Sequence, residues 1–465
     1  MAISPHQQVD RVLRKVFGIE SLRDGQRRVI DSVLAGRDTL AVMPTGSGKS
    51  LCYQLPARLM KKGLTVVVSP LISLMKDQAE KLEEAGIASA AQVNSSLSRS
   101  DEQDALQAIE NAGKDVVFCT PERLAQPEFQ TLLQQAGVGL LVVDEAHCIS
   151  QWGHDFRPAY LEIGAALAAL GQPQVLALTA TATDDVMADI RAQLARPGMR
   201  VVNTGVYRPN LQYRVRQVTN PQEKLAVLLE LVQATPGVGI VYAATVKAAK
   251  EAHDMLRDAG ESVTLYHGRL KAAERSANQE LFMNGERRVM VATNAFGMGI
   301  DKSDTRFVIH LQVPGNLEAY YQESGRAGRD GEDAECTLLY FHDDTRLQKF
   351  FLMKSKAPDE KHELDREKLE RMIAYAQSGF CRWKLLLDYF GDPVPGFERC
   401  CRCDNCLSPP VISGEKFEQQ QLGNLGLAEV VIGDQHQAGV AVGQARPKGH
   451  AFEVVDDGQV QRADV

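Results

Sequence analysis

The run Met43-Pro44-Thr45-Gly46-Ser47-Gly48-Lys49-Ser50 constrains this chain more than any other stretch. It stands between a short apolar segment, Thr39 to Val42, and a segment with helical spacing, Leu51 to Met60. A strand, a glycine-containing turn and a helix start, in that order, form a cradle for phosphate. Gly46 and Gly48 let backbone N–H groups close on one centre, Lys49 reaches the β- and γ-oxygens, and the Ser50 hydroxyl can hold Mg²⁺. Thr45, Gly46, Ser47, Gly48, Lys49 and Ser50 are therefore the candidate nucleotide-binding set. The strict GxxxxGK[ST] pattern asks for glycine where Met43 stands, so a second motif has to decide the matter.

Beyond this turn, β-rich runs alternate with helical stretches: Leu64 to Ser69, Asp115 to Thr120, Val138 to Asp144 and Gln174 to Thr179. Such alternation predicts βαβ units and a buried parallel sheet, hence an α/β fold whose ligand sits in the loops after the strands. One of those loops reads Asp144-Glu145-Ala146-His147. Two carboxylates at the end of the apolar strand Leu140 to Val143 are costly unless a cation or a reacting water uses them. Asp144 can complete a Mg²⁺ site and Glu145 can polarise the water that attacks a γ-phosphate; an acidic surface turn is the plainer alternative.

A second alternating series begins after a plausible hinge at Tyr207-Arg208-Pro209-Asn210. Its β-rich runs are Gly239 to Ala243, Val263 to Tyr266, Arg288 to Ala292, Phe307 to Leu311 and Cys336 to Phe341, with no second phosphate turn. Two sheet-based lobes with a ligand cleft between them follow. The strings Ala292 to Asp301 and Gln322 to Gly331 then supply the second wall. Arg326 and Arg329, three apart and fixed among glycines, suit a guanidinium finger aimed at charge developing on the γ-phosphate. We assign Arg329 as the finger and Arg326 as its neighbour in the phosphate network.

From Asp343 to His362 the chain turns charged and reads as a connector. Leu369, Met372, Ile373 and Ala376, then Trp383, Leu386, Leu387 and Phe390, follow helical spacing and predict a helical hairpin packed on itself. Cys381-x18-Cys400-x2-Cys403-x2-Cys406 offers four thiolates for a closed tetrahedral Zn²⁺ site, with Cys401 spare or exchanging with Cys400. A disulfide pairing and an iron–sulfur cluster are the rival readings. A net charge of −8 and a pI near 5.8 exclude attraction of the whole molecule to nucleic acid and leave only local basic patches. No apolar run approaches the roughly 20 residues of a membrane span, and the start has no secretory h-region, so the expected location is the cytoplasm with no membrane contact.

In this spacing MPTGSGKS, VVDEAH and TATAT resemble motifs I, II and III of superfamily 2 helicases, whose members commonly lack the first glycine. More narrowly, FGIESLRDGQ and SQWGHDFRPAY resemble the RecQ family of DNA helicases, over about Val9 to Pro410. The resemblance implies two RecA-like parallel-sheet lobes, a helical hairpin with a four-cysteine zinc module, and the cofactors ATP, Mg²⁺ and Zn²⁺. It divides the chain into residues 1–207, 208–342, 343–408 and a short tail, 409–465. His147 joins Asp144 and Glu145 as catalytic, and Gly299 and Asp301 join the nucleotide set. Arg23 and Gln26 fall on an adenine-recognising motif, although a solvated helix face would carry the same residues.

Trp152, Phe156 and Arg157 fall on an aromatic-rich loop that couples DNA contact to hydrolysis. Stacking on unpaired bases is worth roughly 1–3 kcal/mol per base, while the same aromatics could simply anchor the loop. Ser69, Arg123 and Thr293 are placed on a phosphate track that positions DNA without reading sequence; a plain helix cap is the alternative for the hydroxyls. Tyr266-His267-Gly268-Arg269-Leu270 departs from the family's Tyr-His-Ala-Gly-Leu, with Arg269 where glycine is usual. The tail is too short for the family's winged-helix and terminal helical domains, and reads as a disordered end or a small β-element. The implied activity is a monomeric 3′-to-5′ ATP-dependent DNA helicase of recombination, repair and replication, acting on single-stranded and forked DNA alongside single-strand-binding and recombination proteins. A translocase that remodels without unwinding, and a zinc-bearing DNA-binding scaffold, are the other classes.

Overall fold

The computed structural model describes residues 5–409 apart from 61–62, 96, 112, 154, 298–301, 356–357 and 393. The expectations for the tail, and for Gly299 and Asp301, fall outside these residues. Seven strands form the first sheet: β1 (Thr39–Val42), β2 (Leu64–Val68), β3 (Ala90–Val93), β4 (Val116–Cys119), β5 (Val138–Val143), β6 (Gln174–Thr179) and β7 (Arg200–Asn203), ordered β3-β4-β2-β5-β6-β1-β7. Six form the second: β8 (Leu211–Gln217), β9 (Val238–Tyr242), β10 (Val263–Tyr266), β11 (Val289–Ala292), β12 (Thr305–His310) and β13 (Ala334–Tyr340), ordered β10-β11-β9-β12-β13-β8.

Every recorded pairing in both sheets is parallel. Both faces of each sheet are therefore covered. Leu40 and Val42 enter the core on one face of the first sheet, while Ala41 and Met43 enter the core on the other. The same two-residue period sends Ile240 and Tyr242 one way and Val241 and Ala243 the other. Because the strands are parallel, their carboxyl ends, and the loops after them, share one edge of each sheet.

The strands expected from the sequence are present. Three further ones, β3, β7 and β8, go beyond that expectation. The connector after Phe341 is helical, Asp344–Lys354 followed by Asp359–Gln377, and a buried ion pair of 2.6 Å from Lys224 to Asp344 ties it to the second lobe.

The hairpin requires a correction. Its helices, Asp359–Gln377 and Arg382–Tyr389, do not chiefly pack on each other; Met372, Ala376, Trp383, Leu386 and Leu387 belong to the core of the second lobe. The cause is the edge strand β8, which leaves one side of its backbone without a strand partner. Trp383 Nε1 donates to Leu211 O at 3.0 Å, and Asp404 Oδ2 accepts from Val215 N–H at 2.9 Å. Trp383 also meets Tyr207 and Tyr213 edge-on, ring centroids 5.0 Å apart in each case. No helix among the described residues is long and apolar enough to cross a membrane. Trp383→Ala should destabilise the chain by about 3–5 kcal/mol in chemical denaturation followed by circular dichroism; a change below about 1 kcal/mol would show that the indole does not seat the hairpin on β8.

Candidate nucleotide site, aromatic loop and metal centre

The turn after β1 holds Gly46 and Gly48 at φ of 80° and 77°, a region that side chains other than hydrogen occupy at a cost. Space adds to the requirement. A β-carbon on Gly48 would lie 2.5 Å from Gln26 Nε2, and one on Gly46 would lie 3.3 Å from Arg329 Cγ. The phosphate turn is thus closed on one side by the helix Asp24–Leu34 and on the other by the second lobe. Lys49 Nζ donates to Met43 O at 3.2 Å. Burial pulls the Lys49 ammonium below its usual range, against the pull of Glu145 and Asp144.

Arg23 and Gln26 are arranged differently from the expectation that they face a base. Gln26 Nε2 donates to Ser47 O at 2.9 Å and Gly48 O at 3.3 Å, its Oε1 accepts from Arg23 N–H at 3.0 Å, and Arg23 Nη1 donates to Gly46 O at 2.9 Å. A turn that points its N–H groups at one centre points its carbonyls away, and those carbonyls need donors. Both side chains brace the turn.

Asp144 and Glu145 end β5. Asp144 accepts from Ser69 Oγ at 3.2 Å, and burial, then the neighbouring Glu145, push its carboxyl up to about 7 against Lys49. Lys49 therefore does not offset the cost of burying this pair, and a hard divalent cation is the partner such a donor set fits. Glu145 sits at φ 48°, left-handed for a residue with a β-carbon, a strain of order ~1–2 kcal/mol. Its Oε2 is buried with no hydrogen-bond partner among the described residues, and His147 Nδ1 lies 3.4 Å from it.

His147 is buried, and desolvation, then Lys49 and Arg157, hold its imidazole down to about 3. It is neutral. Thr179 Oγ1 donates to Thr181 O at 3.0 Å and so accepts from His147 Nδ1 at 2.9 Å, which assigns the tautomer through the network. The acidic loop and the Thr179 to Thr183 loop are joined through that one hydroxyl.

Arg329 packs against Gly46, and a β-carbon on Gly325 would lie 3.5 Å from Thr45 Cβ, so the arginine loop lies at the seam between the lobes, with Arg326 buried in it. What holds their loop is Arg208, read from the sequence only as part of a hinge. Buried, it donates to Gly325 O at 2.8 Å, Ala327 O at 2.8 Å and Gly328 O at 2.5 Å, while Asn210 Nδ2 donates to Gly328 O at 2.9 Å. The available signal is an arginine beside a proline, which says nothing about carbonyls 117 or more residues away.

Trp152 is 43% exposed, so part of its surface is open to solvent. Phe156 is half-buried, and half-buried Arg157 donates to Pro70 O at 3.4 Å. Gly153 is required by close backbone approach, since a β-carbon there would lie 2.5 Å from His147 O. The expected phosphate track is corrected in part. The Ser69 hydroxyl is buried on Asp144, and the Arg123 guanidinium is engaged by Gln126 Oε1 at 2.6 Å and Glu102 Oε1 at 2.8 Å. Buried Thr293 accepts from Ala295 N–H at 3.4 Å. Each of these contacts stays within one lobe, because a loop leaving a strand has its own backbone and carboxylates to satisfy. Arg269 is exposed, and a β-carbon on Gly268 would meet nothing closer than Ala295 Cβ at 3.9 Å, so the departure from the family string is sterically free.

The sulfurs of Cys381, Cys400, Cys403 and Cys406 all lie within 4.8 Å of one another. Bonds of about 2.3 Å in a tetrahedron put sulfurs about 3.8 Å apart, and Cys400 Sγ to Cys406 Sγ is 3.8 Å. Backbone N–H groups of Arg382, Cys400 and Cys403 point at these sulfurs at 3.4, 3.2 and 3.3 Å, as thiolates require. Cys401 is exposed and excluded. The four cysteines fit one Zn²⁺ ion; an iron–sulfur cluster would need its own atoms between them.

Residues 23–190 match the DEAD/DEAH box helicase family, 223–331 the helicase conserved C-terminal domain, and 342–407 the RecQ zinc-binding family. The chain is 45% identical over 398 residues to the ATP-dependent DNA helicase RecQ of Bacillus subtilis, covering 85% of this chain and 66% of that protein. It is 42% identical over 343 residues to the probable ATP-dependent DNA helicase RecS of the same organism, covering 73% and 68%. The chain thus spans slightly less than two thirds of the first of these relatives. A structure of Mss116p bound to single-stranded RNA and AMP-PNP superposes with a TM-score of 0.62 at 17% identity, over 83% of this chain and 90% of that one, so the fold is that of paired RecA-like lobes. The chain belongs to the RecQ family of superfamily 2 helicases.

Proposed function

We propose that this chain is an ATP- and Mg²⁺-dependent DNA helicase that moves 3′ to 5′ along single-stranded DNA and unwinds forked duplexes in recombination, repair and replication. The observation that carries the reading is the seam: Arg329 of the second lobe lies against Gly46 of the phosphate turn, on the lobe that also presents Lys49, Asp144 and Glu145. A triphosphate bound there meets cations from both lobes.

Lys49 and the turn's N–H groups grip the β- and γ-phosphates, with Thr45, Ser47 and Ser50 lining the turn and Gly299 and Asp301 contributing from the second lobe. Mg²⁺ held by Ser50 and Asp144 supplies charge that screens the phosphates. Glu145 accepts the proton of the attacking water, and the adjacent neutral His147 keeps the Thr179 bridge in place. Arg329, with Arg326 beside it, stabilises charge on the γ-phosphate as the lobes close, and loss of the γ-phosphate lets them part. Trp152 and Phe156 stack on bases and Arg157 contacts phosphate. Arg123, Ser69 and Thr293 reach DNA through their backbones or after giving up their present partners. Zn²⁺ on the four cysteines holds the loop that caps β8.

Glu145→Gln should lower ATP turnover at least about a hundredfold while nucleotide affinity stays close to that of the parent; retained turnover would remove the general-base role. Trp152→Ala should keep DNA-free hydrolysis and lose stimulation by a single-stranded oligonucleotide, and equal stimulation in variant and parent would end its assignment as DNA sensor. Cys403→Ser should lose the zinc that elemental analysis finds in the parent, and unchanged zinc content would refute the metal site. Unwinding of forked duplexes bearing 3′ or 5′ DNA tails tests direction: a chain that opens only 5′-tailed forks, or hydrolyses ATP without opening any, is not the motor proposed.

A further inference from the structure

Between the aromatic loop, the second lobe and the zinc module's long helix lies a buried ion pair that the mechanism above leaves unused. Lys368, on the helix Asp359–Gln377, bonds Glu318 Oε1 at 2.7 Å, the side chains being 10% and 7% exposed. The same ammonium donates to Trp152 O at 2.7 Å. Two turns earlier on the same helix face, Lys361 donates to Gly153 O at 3.2 Å and is held by Asp365 at 3.0 Å. Two lysines of one helix therefore grip consecutive carbonyls of the loop whose ring is exposed for stacking.

Glu318 stands in the first turn of the helix Leu317–Ser324, capped by Asn316, whose side chain accepts from Ala319 N–H at 2.7 Å. That helix runs directly into Gly325, Arg326 and Arg329. On its other side Glu318 shares with His147, Gly153 and Thr181 a cleft of about 10 Å³, room for one water at most. The pair thus touches the DNA loop by a carbonyl, the finger by its helix, and the acidic loop by proximity. A buried ammonium parted from its carboxylate is left uncompensated. When the loop shifts, Lys368 and Glu318 move with it or the contact with the carbonyl breaks.

We propose that Lys368 and Glu318 are a positioning pair through which the aromatic loop sets the helix that leads into Arg326 and Arg329, so that DNA at Trp152 is reported to the finger by way of the zinc module's long helix. The inference rests on the motor reading above and deepens it by naming the path of coupling.

The test uses the full chain and compares Lys368→Met, Lys368→Arg and Glu318→Gln with Lys224→Met. That last variant breaks a second buried ion pair, to Asp344 at 2.6 Å, which touches neither the loop nor the finger. ATP turnover is measured with and without oligo(dT), oligo(dT) affinity by anisotropy, and the thermal midpoint by circular dichroism. Lys368→Met should keep DNA-free turnover and oligo(dT) affinity close to the parent's while the stimulation falls at least about fivefold. Glu318→Gln should lose stimulation similarly, and Lys368→Arg should restore part of it. Lys224→Met should lower the midpoint and keep the stimulation. Full stimulation in Lys368→Met overturns the proposal, as does an equal loss in Lys224→Met, which would mark the effect as general destabilisation. A parent with no DNA-stimulated turnover would instead overturn the motor reading itself.

Discussion

The contact on which the site depends is the approach of Arg329 to Gly46, backbone against side chain across two lobes that share no strand. It needs a residue without a β-carbon on one side and a tightly held loop on the other. The hold comes from Arg208, which spends its guanidinium on three carbonyls of the arginine loop. Carbonyls bound by a planar, permanently charged fork are fixed in direction as well as position. The chain entering the second lobe therefore orients the finger that leaves it, and crossing from one lobe to the other and arming the second are done by one residue.

How much of this is legible in the sequence follows from which forces act locally. Strands buried on both faces announce themselves as apolar runs, and β1, β2, β4, β5, β6 and β9 to β13 are all readable in that way. Ala90-Ala91-Gln92-Val93 and Arg200-Val201-Val202-Asn203 are edge strands of four residues with one or no fully apolar face, and so carry little signal. Leu211 to Gln217 does alternate, with Leu211 and Tyr213 inward and arginines at 214 and 216, but it directly follows the expected hinge and is masked by it. The phosphate turn, the acidic loop and the paired arginines are legible because their chemistry is concentrated in consecutive residues. Arg208 and Lys368 are not, since they act on groups 117 and 216 residues away in sequence, and Glu318 is silent for the same reason. The partners of Ser69 and Arg123 are hidden on a related ground: a motif fixes a residue's address, and groups from other elements decide what its polar atoms meet.

The zinc module is better understood as the missing neighbour of β8 than as a separate appendage. Parallel sheets end in strands whose outer N–H and C=O groups need partners or protection. Here Asp404 supplies an acceptor, Trp383 a donor, and Arg382 ties Asp404 back at 3.0 Å. Cys381 and Cys403 lie in the same core as Tyr213 and Tyr320. Four thiolates converging on one ion fix the short loop that carries Asp404, a loop with too few apolar residues to fix itself. Metal site, edge strand and arginine loop are linked further, since Arg402 of the same module also donates to Pro209 O at 2.9 Å, next to Arg208.

In the first lobe the acidic loop keeps local backbone strain. Glu145 is held left-handed in a turn that hydrogen bonds over-determine: Cys148 N–H returns to Glu145 O at 2.9 Å, and Tyr160 donates to Asp144 O at 2.9 Å. Relaxing that φ would swing the carboxylate away from His147 and break the ladder of contacts reaching Thr179. For Glu145 as the base proposed above, strained backbone would fix the carboxylate without a donor that competes with water for the same oxygen. The first lobe thus leaves Glu145 Oε2 without a donor among the described residues, while in the second Arg208 holds the arginine loop and Trp383 and Asp404 cover β8. Lys368, bonded to Trp152 O and to Glu318, joins the aromatic loop to that second lobe.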